Sequence, residues 1–411
     1  MGRLKSFIVS QVLQIRKGGW QVLFRKMLHI VFFVPGTIVI VVLRLVRRWV
    51  HIRFGQLLSH RIGHYAANTE VYLCGRDAGR HNKKFIDLFY NCEPVSNEQL
   101  YRMWKRVITI NPLVRYLYRF TFFLPGGSEH RLQMGGFLDR DTQALMADTL
   151  SHLVFTSKEI VSGRESLGTI GIPDGAPFVC FHARDSLYLG EKYPEHDWSY
   201  HDYRNSGISN FVPGMEELVN RGYFAFRMGS LVGQQLMADN PRIIDYALNG
   251  NRSDFLDIFL SAHCSFFIST GTGLDALPMV FRRPIVYVNF VPVEYVASYV
   301  RNSITIFKKY WLIGEHRYMT FREIIGSGAG RFMDSFEFAG NGIELRENTA
   351  DEIREAVIEM DERLKGAWRP SREDEDLQGR FWSLIPKSEL NGVIRARIGA
   401  HFLRSNRDLL E

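Results

Sequence analysis

From residue 50 onward the chain alternates short, mainly apolar runs with amphipathic stretches of helical spacing. Val50 to Phe54, Phe85 to Tyr90, Phe178 to His182, Tyr223 to Arg227, Phe266 to Ile268 and Ile285 to Val288 have the length of strands and are dominated by Val, Ile, Phe and Tyr. Helical patterns fall between them: one running through Leu73, then Asn97 to Ile108, Leu113 to Phe123, Thr156 to Gly168, Pro213 to Asn220 and Arg252 to His263. Thr156 with Glu159 and Thr272 with Asp275 have capping-box spacing, and Ser253 is placed to cap the helix that leads into the Phe266 run. Strands alternating with helices of this length predict an α/β protein with parallel, doubly wound sheets.

Gly171-Ile-Pro-Asp-Gly175 reads as a linker. The predicted organisation is a segment 1–49, an N-terminal Rossmann-like lobe over 50–170, a second such lobe over 176–370, and C-terminal helices over 371–411 that pack back on the first lobe. The last of these helices is expected near Val393 to Leu403.

The first 49 residues differ in character. Leu4, Phe7, Ile8, Val12 and Ile15 recur at helical spacing among Lys5, Arg16 and Lys17, and Gly18-Gly19 ends the pattern. Met27 to Leu43 is a stretch of 17 residues without an acid, Lys or Arg, broken at Pro35-Gly36 and closed by Arg44, Arg47 and Arg48. As a helix it would span about 25 Å, at or just under a bilayer core. The expectation is a re-entrant or interfacial hairpin with both flanks on the cytoplasmic face, ahead of a short single span or a core helix.

Charge sharpens that division. The chain's net charge is +7, yet residues 1–61 hold 11 Lys or Arg and no acid, which leaves the remaining 350 residues with 40 basic against 44 acidic, net −4. A body near neutrality argues against a nucleic-acid binder, and a basic apolar N-terminus argues for an anionic membrane surface. The four cysteines, Cys74, Cys92, Cys180 and Cys264, form no C-x-x-C pair and read as reduced core residues of a cytoplasmic protein.

In a doubly wound sheet, ligands bind outside the carboxyl ends of the strands. Those ends carry His182, Arg184 and Asp185; Arg227, Gly229 and Ser230; Ser269, Thr270, Gly271, Thr272, Gly273 and Asp275; and Asn289. Two arginines and a Gly-Thr turn suit a diphosphate, because a guanidinium offers two parallel donors to phosphate oxygens and glycines let backbone N–H groups approach an anion. A G-x-x-x-x-G-K-[ST] loop is absent, which disfavours phosphoryl transfer on a P-loop, and no G-x-G-x-x-G opens an early βαβ unit with an acid some twenty residues on, so a nicotinamide dehydrogenase has no support. Asp139-Arg-Asp141 and Asp374-Glu-Asp376 follow no long buried strand and read as solvated charges, so no metal and no cofactor is expected.

Phe181-His-Ala-Arg-Asp-Ser186, Tyr200-His-Asp-Tyr-Arg-Asn-Ser206, Arg227-Met-Gly229, Arg252-Ser-Asp-Phe-Leu-Asp257 and Phe267-Ile-Ser-Thr-Gly-Thr-Gly-Leu-Asp275 together resemble a family of bacterial glycosyltransferases of surface-polysaccharide loci. The resemblance spans roughly residues 50–310 and is distantly shared with O-fucosyltransferase-like and heptosyltransferase-like enzymes. His182-Ala-Arg184 is similar to the His-x-Arg motif of the former, but the second arginine usual there is missing, which speaks against GDP-fucose. The resemblance implies a two-lobed GT-B-type fold, a nucleotide-sugar donor in the C-terminal lobe, a lipid-linked or glycan acceptor in the N-terminal lobe, and inversion at the transferred sugar. It makes His182, Arg184, Arg204, Arg227, Gly229 and the turn Ser269 to Gly273 with Asp275 the donor-binding candidates.

Inversion requires a base for the acceptor hydroxyl and positive or N–H groups for the departing diphosphate. His64, Asp185 and Asp202 are the candidate bases, and the polar loop Tyr200 to Ser206 is a candidate lid. The expected activity is transfer of a sugar to a bacterial surface glycan at the cytoplasmic face of the inner membrane. The alternatives are a sugar-phosphate transferase using the same anion site, or a non-catalytic membrane-bound scaffold or nucleotide-sugar sensor.

Overall fold

The computed structural model describes residues 19–20, 38–39, 41–80, 85–123, 126–135, 139–192 and 194–411. The expected amphipathic helix 3–17 and the hairpin around Pro35 lie outside the described residues. Among the described residues no helix is long and apolar enough to cross a membrane. The chain divides into two units, the first made of the described residues of Met1–Leu58, Gly79–Pro94 and Trp104–Met134, the second of Ser59–Ala78, Val95–Met103 and Gly135–Glu411.

The first unit is built on a parallel sheet of β1 (His51–Leu57), β2 (Phe85–Asn91), β3 (Thr109–Ile110) and β4 (Arg131–Leu132), in the order β3-β2-β1-β4. Arg53 and Asp87 face one another across β1 and β2 and pair at 2.7 and 2.8 Å, so the register carries a charge match as well as backbone bonds. Phe54, Tyr90, Val114 and Phe120 form its core.

The second unit holds a seven-stranded sheet: β5 (Phe178–His182), β6 (Phe224–Arg227), β7 (Ile243–Ile244), β8 (Phe267–Ser269), β9 (Ile285–Phe290), β10 (Ser303–Phe307) and β14 (Arg397–Ile398). Their order is β14-β10-β9-β8-β5-β6-β7, with every pairing parallel. A separate antiparallel sheet of β11 (Lys309–Leu312), β12 (Arg317–Tyr318) and β13 (Ile343–Arg346) flanks it in sequence. Successive side chains of β5 enter different cores: Phe178 and Cys180 join one with Phe259 and Cys264, whereas Val179 and Phe181 join the other with Phe211 and Ile268. Apolar layers on both faces are what make this strand, and β9, continuous buried runs.

Three boundaries differ from expectation. Residues 59–78, 95–103 and 135–170, assigned above to the N-terminal lobe, belong to the second unit. The Gly171 to Gly175 turn joins the helix Ser157–Thr169 to β5 inside that unit, held by Ile172 N–H to Leu167 O at 2.9 Å and by burial of Ile172 beside Phe178. The C-terminal stretch also builds into the second unit: β14 pairs with β10, and Phe381 of the helix Arg372–Leu384 stacks on Phe307 at 5.4 Å. The helix expected near Val393 to Leu403 is confined to Ala400–Ser405, since the residues before it are drawn into β14.

Cys74, Cys180 and Cys264 are buried and Cys92 is half-buried; all four are free thiols.

Candidate functional site

The seven-stranded sheet fixes where a ligand can sit. From β5 the chain steps outward to β6 and β7, then crosses to β8 on the other side of β5, so β5 and β8 flank the switch in strand order. His182 pairs in register with Ser269, which sets the segments after the two strands, His182 to Asp185 and Thr270 to Asp275, side by side at the crevice. A cavity of about 760 Å³ opens there, lined entirely by residues of the second unit.

Arg184 and Arg204 bring positive charge to the strand ends, among five arginines that line the cavity. The Arg184 backbone N–H donates to Thr270 Oγ1 at 3.1 Å, tying the two strand ends together. Its guanidinium donates to His201 O at 3.1 Å and to Asn205 Oδ1, and that of Arg204 donates to Gly271 O. Burial, and next the charge of Arg204, pull the Arg184 pKa down to about 10. Neither guanidinium has a carboxylate partner within ion-pair distance among the described residues, so an entering anion relieves an existing repulsion.

The turn between β8 and the next helix has the expected capping box: Thr272 N–H donates to Asp275 Oδ2 at 2.7 Å and Leu274 N–H to Thr272 Oγ1 at 3.3 Å. Gly271 has φ of +73°, and a β-carbon there would lie 2.8 Å from the Phe290 ring. The expected helix N-terminus is weaker than the spacing implied. A single 3-10 turn leads into the five-residue helix Ala276–Val280, and Asp275 already occupies the Thr272 amide. The anion seat therefore rests on guanidinium groups more than on a helix dipole. Burial raises Asp275 to about 7 against the bonds from Ser269 Oγ (3.1 Å) and Thr272 N–H.

His182 lines the cavity with Nδ1 3.4 Å from Thr272 Oγ1. Burial, then the nearby Arg227 charge, lower its pKa to about 4. His201 is lowered to about 4 as well, by burial and then by Arg204 and Arg184. Both rings are thus neutral near pH 7, able to accept or donate a hydrogen bond without adding charge.

Several candidates take other roles. Arg227 is 1% exposed and does not face the cavity; its guanidinium pairs with Asp245 at 3.2 Å, and Asp245 also accepts Leu236 N–H at 3.1 Å. Asp202 accepts from Asn205 Nδ2 at 2.7 Å and is not a lining residue. Ser269 and Thr270 are buried supports whose hydroxyls serve Asp275 and Arg184. Asp185 lines the cavity, but its two oxygens accept Leu187 N–H and Gly233 N–H, each at 3.0 Å, and so hold loops in place. Gly229 lines it too; a β-carbon there would lie 2.6 Å from Val232 Cγ1. Asn289 is buried in a reciprocal pairing with Asn348 and stands outside the site. The Tyr200 to Ser206 loop is fastened: Ser206 N–H reaches Arg184 O at 2.9 Å, Tyr203 N–H reaches Ser335 Oγ at 2.9 Å, and Lys308 Nζ reaches Asn205 O at 2.5 Å. In this position it lines the cavity with His201, Tyr203 and Arg204.

His64 was expected on the N-terminal lobe and instead belongs to the second unit, on the first turn of the helix Ile62–Asp77 at the cavity wall. Its Nδ1 lies 3.2 Å from Asn68 Oδ1 and 3.9 Å from Asp139 Oδ2. Asp139 and Asp141 therefore part company. Asp139 lines the cavity beside His64, whereas Asp141 is buried and accepts the N–H groups of Leu145 (2.9 Å) and Met146 (2.7 Å). Asp374 is likewise not solvated; it caps the helix Arg372–Leu384 and pairs with Arg404.

No protein-family model and no curated protein matches the chain. Solved structures that it is similar to include the ADP-heptose LPS heptosyltransferase II of E. coli, at 13% identity and TM-score 0.38, covering 62% of this chain and 90% of that one. Another is the glycosyl transferase family 9 protein of Veillonella parvula, at 9% identity and TM-score 0.40, covering 77% and 95%. A third is the E. coli heptosyltransferase WaaC with ADP-2-deoxy-2-fluoro heptose, at 12% identity and TM-score 0.31, covering 62% and 93%. Likenesses this slight bear neither on fold nor on activity, which rest on the residues themselves.

Glu70, Cys74 and His152 bring three metal-type ligand atoms within 4.8 Å of one another. Arg282 Nη2 stands 2.6 Å from Glu70 Oε1 and 3.5 Å from Cys74 Sγ, in the place a cation would take, so the cluster reads as a buried ion-pair knot. Beyond the expected residues the cavity gains Arg61, Asp139, Arg140, Asp257, Tyr287 and Tyr299. Asp257 carries a local signal, the Arg252 to Asp257 motif, and its carboxylate is pushed to about 6 by burial against its pairing with Arg252 at 2.7 Å. Asp139 had none, because its distance from His64 depends on how residues 59–78 and 135–141 pack.

Proposed function

We propose that the chain is a glycosyltransferase that moves a sugar from a nucleoside-diphosphate donor to a hydroxyl of a lipid-linked surface glycan, without a metal. The observation that carries this reading is that Arg184 and Arg204 line one cavity at the strand-order switch of the parallel sheet, with the Arg204 guanidinium on Gly271 O and the Arg184 backbone N–H on Thr270 Oγ1. A diphosphate placed there receives guanidinium donors as its leaving oxygen gains charge.

His64 is the base that the geometry favours. Asp185 has both oxygens engaged by backbone N–H groups and Asp202 does not line the cavity, whereas His64 lines it and has Asp139 at 3.9 Å to stabilise an imidazolium. In the step, the acceptor oxygen bonds to the anomeric carbon, the bond from that carbon to the diphosphate oxygen breaks, and the hydroxyl proton passes to the imidazole. Inversion follows from attack opposite the leaving group. The membrane is the natural location, since the basic, apolar N-terminal residues favour an anionic lipid surface where such acceptors lie.

The test is release of nucleoside diphosphate from a panel of nucleotide sugars incubated with glycolipid extract. His64→Ala is expected to reduce turnover about 10²-fold to 10⁴-fold while leaving donor binding in place. Donor hydrolysis or transfer at an unchanged rate in His64→Ala would remove His64 from that role. Nucleotide binding without turnover on any acceptor would favour the sensor reading.

A further inference from the structure

Two tyrosines of the cavity carry hydroxyls that the fold does not use. Tyr287 and Tyr299 are each 4% exposed and line the cavity. Their rings are packed, Tyr287 edge-on to Phe290 at 5.4 Å and Tyr299 with the Arg140 guanidinium 5.3 Å from its centroid. Neither hydroxyl has a hydrogen-bond partner among the described residues, although a polar group so withdrawn from water is costly without one. The turn after β8 adds a third such group. Asp275 lines the cavity, and its Oδ2 accepts both Ser269 Oγ (3.1 Å) and Thr272 N–H (2.7 Å), which leaves Oδ1 with no donor among the described residues.

Strand pairing brings these groups together. Tyr287 of β9 pairs in register with Ser269 of β8, the residue whose hydroxyl holds Asp275. Burial, then Asp275 and Tyr299, push the Tyr287 phenol up. Burial lifts Tyr299 to about 12 against the Arg140 charge, with Asp139, Asp141 and Asp275 adding to the rise. The carboxyl and the two phenols therefore lie within reach of one another's charge, and both phenols are neutral near pH 7.

Chemistry selects the occupant. Arg140 is already engaged: its Nε and Nη2 donate to Leu390 O, Tyr295 O and Val296 O at 2.6–3.2 Å. A carboxylate or phosphate beside it would also meet Asp139 and Asp275. An alcohol meets no such opposition, since it can donate to Asp275 Oδ1 and accept from a phenol. We infer that Asp275, Tyr287 and Tyr299 form a subsite for the hydroxyls of a sugar ring, beside the anion seat of Arg184 and Arg204. This rests on the glycosyltransferase reading, in which the ring is that of the donor or that of the acceptor.

The test uses the full chain, Tyr287→Phe and Tyr299→Phe. Affinities are measured by calorimetry for UDP, GDP, ADP and dTDP and for UDP-glucose, UDP-N-acetylglucosamine, GDP-mannose, ADP-glucose and dTDP-glucose, and initial rates are measured against glycolipid extract. Both variants are expected to melt no lower than the parent chain, since the hydroxyls serve nothing within the protein, and to bind the bare diphosphate unchanged. A donor sugar in the subsite shows as a sugar nucleotide bound about three- to tenfold more weakly by each variant, the change expected for one lost hydrogen bond. An acceptor sugar shows as unchanged sugar-nucleotide affinity with the acceptor KM raised by that factor. Weaker binding of the bare diphosphate by a folded variant overturns the inference by placing the hydroxyls at the anion, and a lowered melting temperature overturns it by giving them a structural partner. Unchanged constants in both arms, or a parent chain that binds each sugar nucleotide no differently from its bare diphosphate and turns none over, overturn the inference and leave the anion seat standing. No nucleotide bound by the folded parent chain contradicts the transferase reading, and the inference falls with it.

Discussion

Gly63 lies against Gly273 with no room for a side chain: a β-carbon on Gly63 would sit 2.7 Å from the Gly273 Cα and 2.9 Å from its carbonyl oxygen. This approach brings His64 to the same cavity as the Thr270 to Gly273 turn, so the candidate base and the anion seat share one backbone contact. Both sides of the contact are backbone, and neither can rotate away.

Gly63→Ala is therefore expected to cost about 1–3 kcal/mol of stability and to reduce turnover further by pushing His64 off its position. Gly273→Ala is milder, since a β-carbon there would find its nearest neighbour, Gly63 N, at 3.4 Å. Melting temperatures and turnover of the two variants check this ordering; equal behaviour would deny the contact its role.

Arg227 is expected to act on stability. Removing it leaves Asp245 without its charge partner in a nearly closed site, and truncating one member of such a pair costs about 3–5 kcal/mol. Arg227→Ala should lower the denaturation midpoint strongly, and Arg227→Met combined with Asp245→Leu should recover part of the loss. A fully stable Arg227→Ala with abolished nucleotide binding would return Arg227 to the binding site.

Asp139 and Asp141, two residues apart, should separate cleanly. Asp141→Ala removes two N–H partners of the helix Leu145–Asp148 and is expected to cost about 1–2 kcal/mol. Asp139→Asn is expected to leave the melting temperature unchanged and to lower turnover. The paired measurement of melting and rate reads both.

Asp275 gives the stability a pH dependence of known sign. Its carboxyl is raised from 3.8 to about 7 by burial, so between those values the folded chain keeps a proton that the unfolded chain has released. This contribution to stability is present at low pH and is lost as pH rises through about 7. The difference in unfolding free energy between Asp275→Asn and the parent chain should move in the variant's favour from pH 4 to pH 7, whatever its value at pH 4. A constant difference would show that the carboxyl is ionised throughout.

The strands of the second unit were legible because they are buried on both faces. Phe178 to His182 was placed to the residue, and Ile285 to Val288 within two residues at its end, since nothing but a continuous apolar run satisfies two cores. Caps were legible for the same local reason: Thr156 with Glu159, Ser253, and Thr272 with Asp275 form the bonds that their spacing predicts. What sequence did not carry was partnership at a distance. The polar residues at strand ends look alike along the chain, yet Arg184 faces the cavity whereas Arg227 is taken by Asp245 and Asn289 by Asn348. The unit boundaries were misplaced for a related reason, because residues 59–78 follow β1 in the chain but pack elsewhere.

Binding of nucleotides to the full chain by calorimetry tests the central claim most directly. UDP, GDP, CDP, dTDP, ADP and CMP would be titrated into the parent chain, Arg184→Ala and Arg204→Ala, each checked for an unchanged fold. The predicted result is one nucleoside diphosphate bound at micromolar affinity and weakened at least about tenfold in either variant, as loss of a charge-assisted phosphate contact requires. Binding of that nucleotide with undiminished affinity in both variants, or of none to the folded parent chain, would contradict the anion seat at the β5 and β8 strand ends.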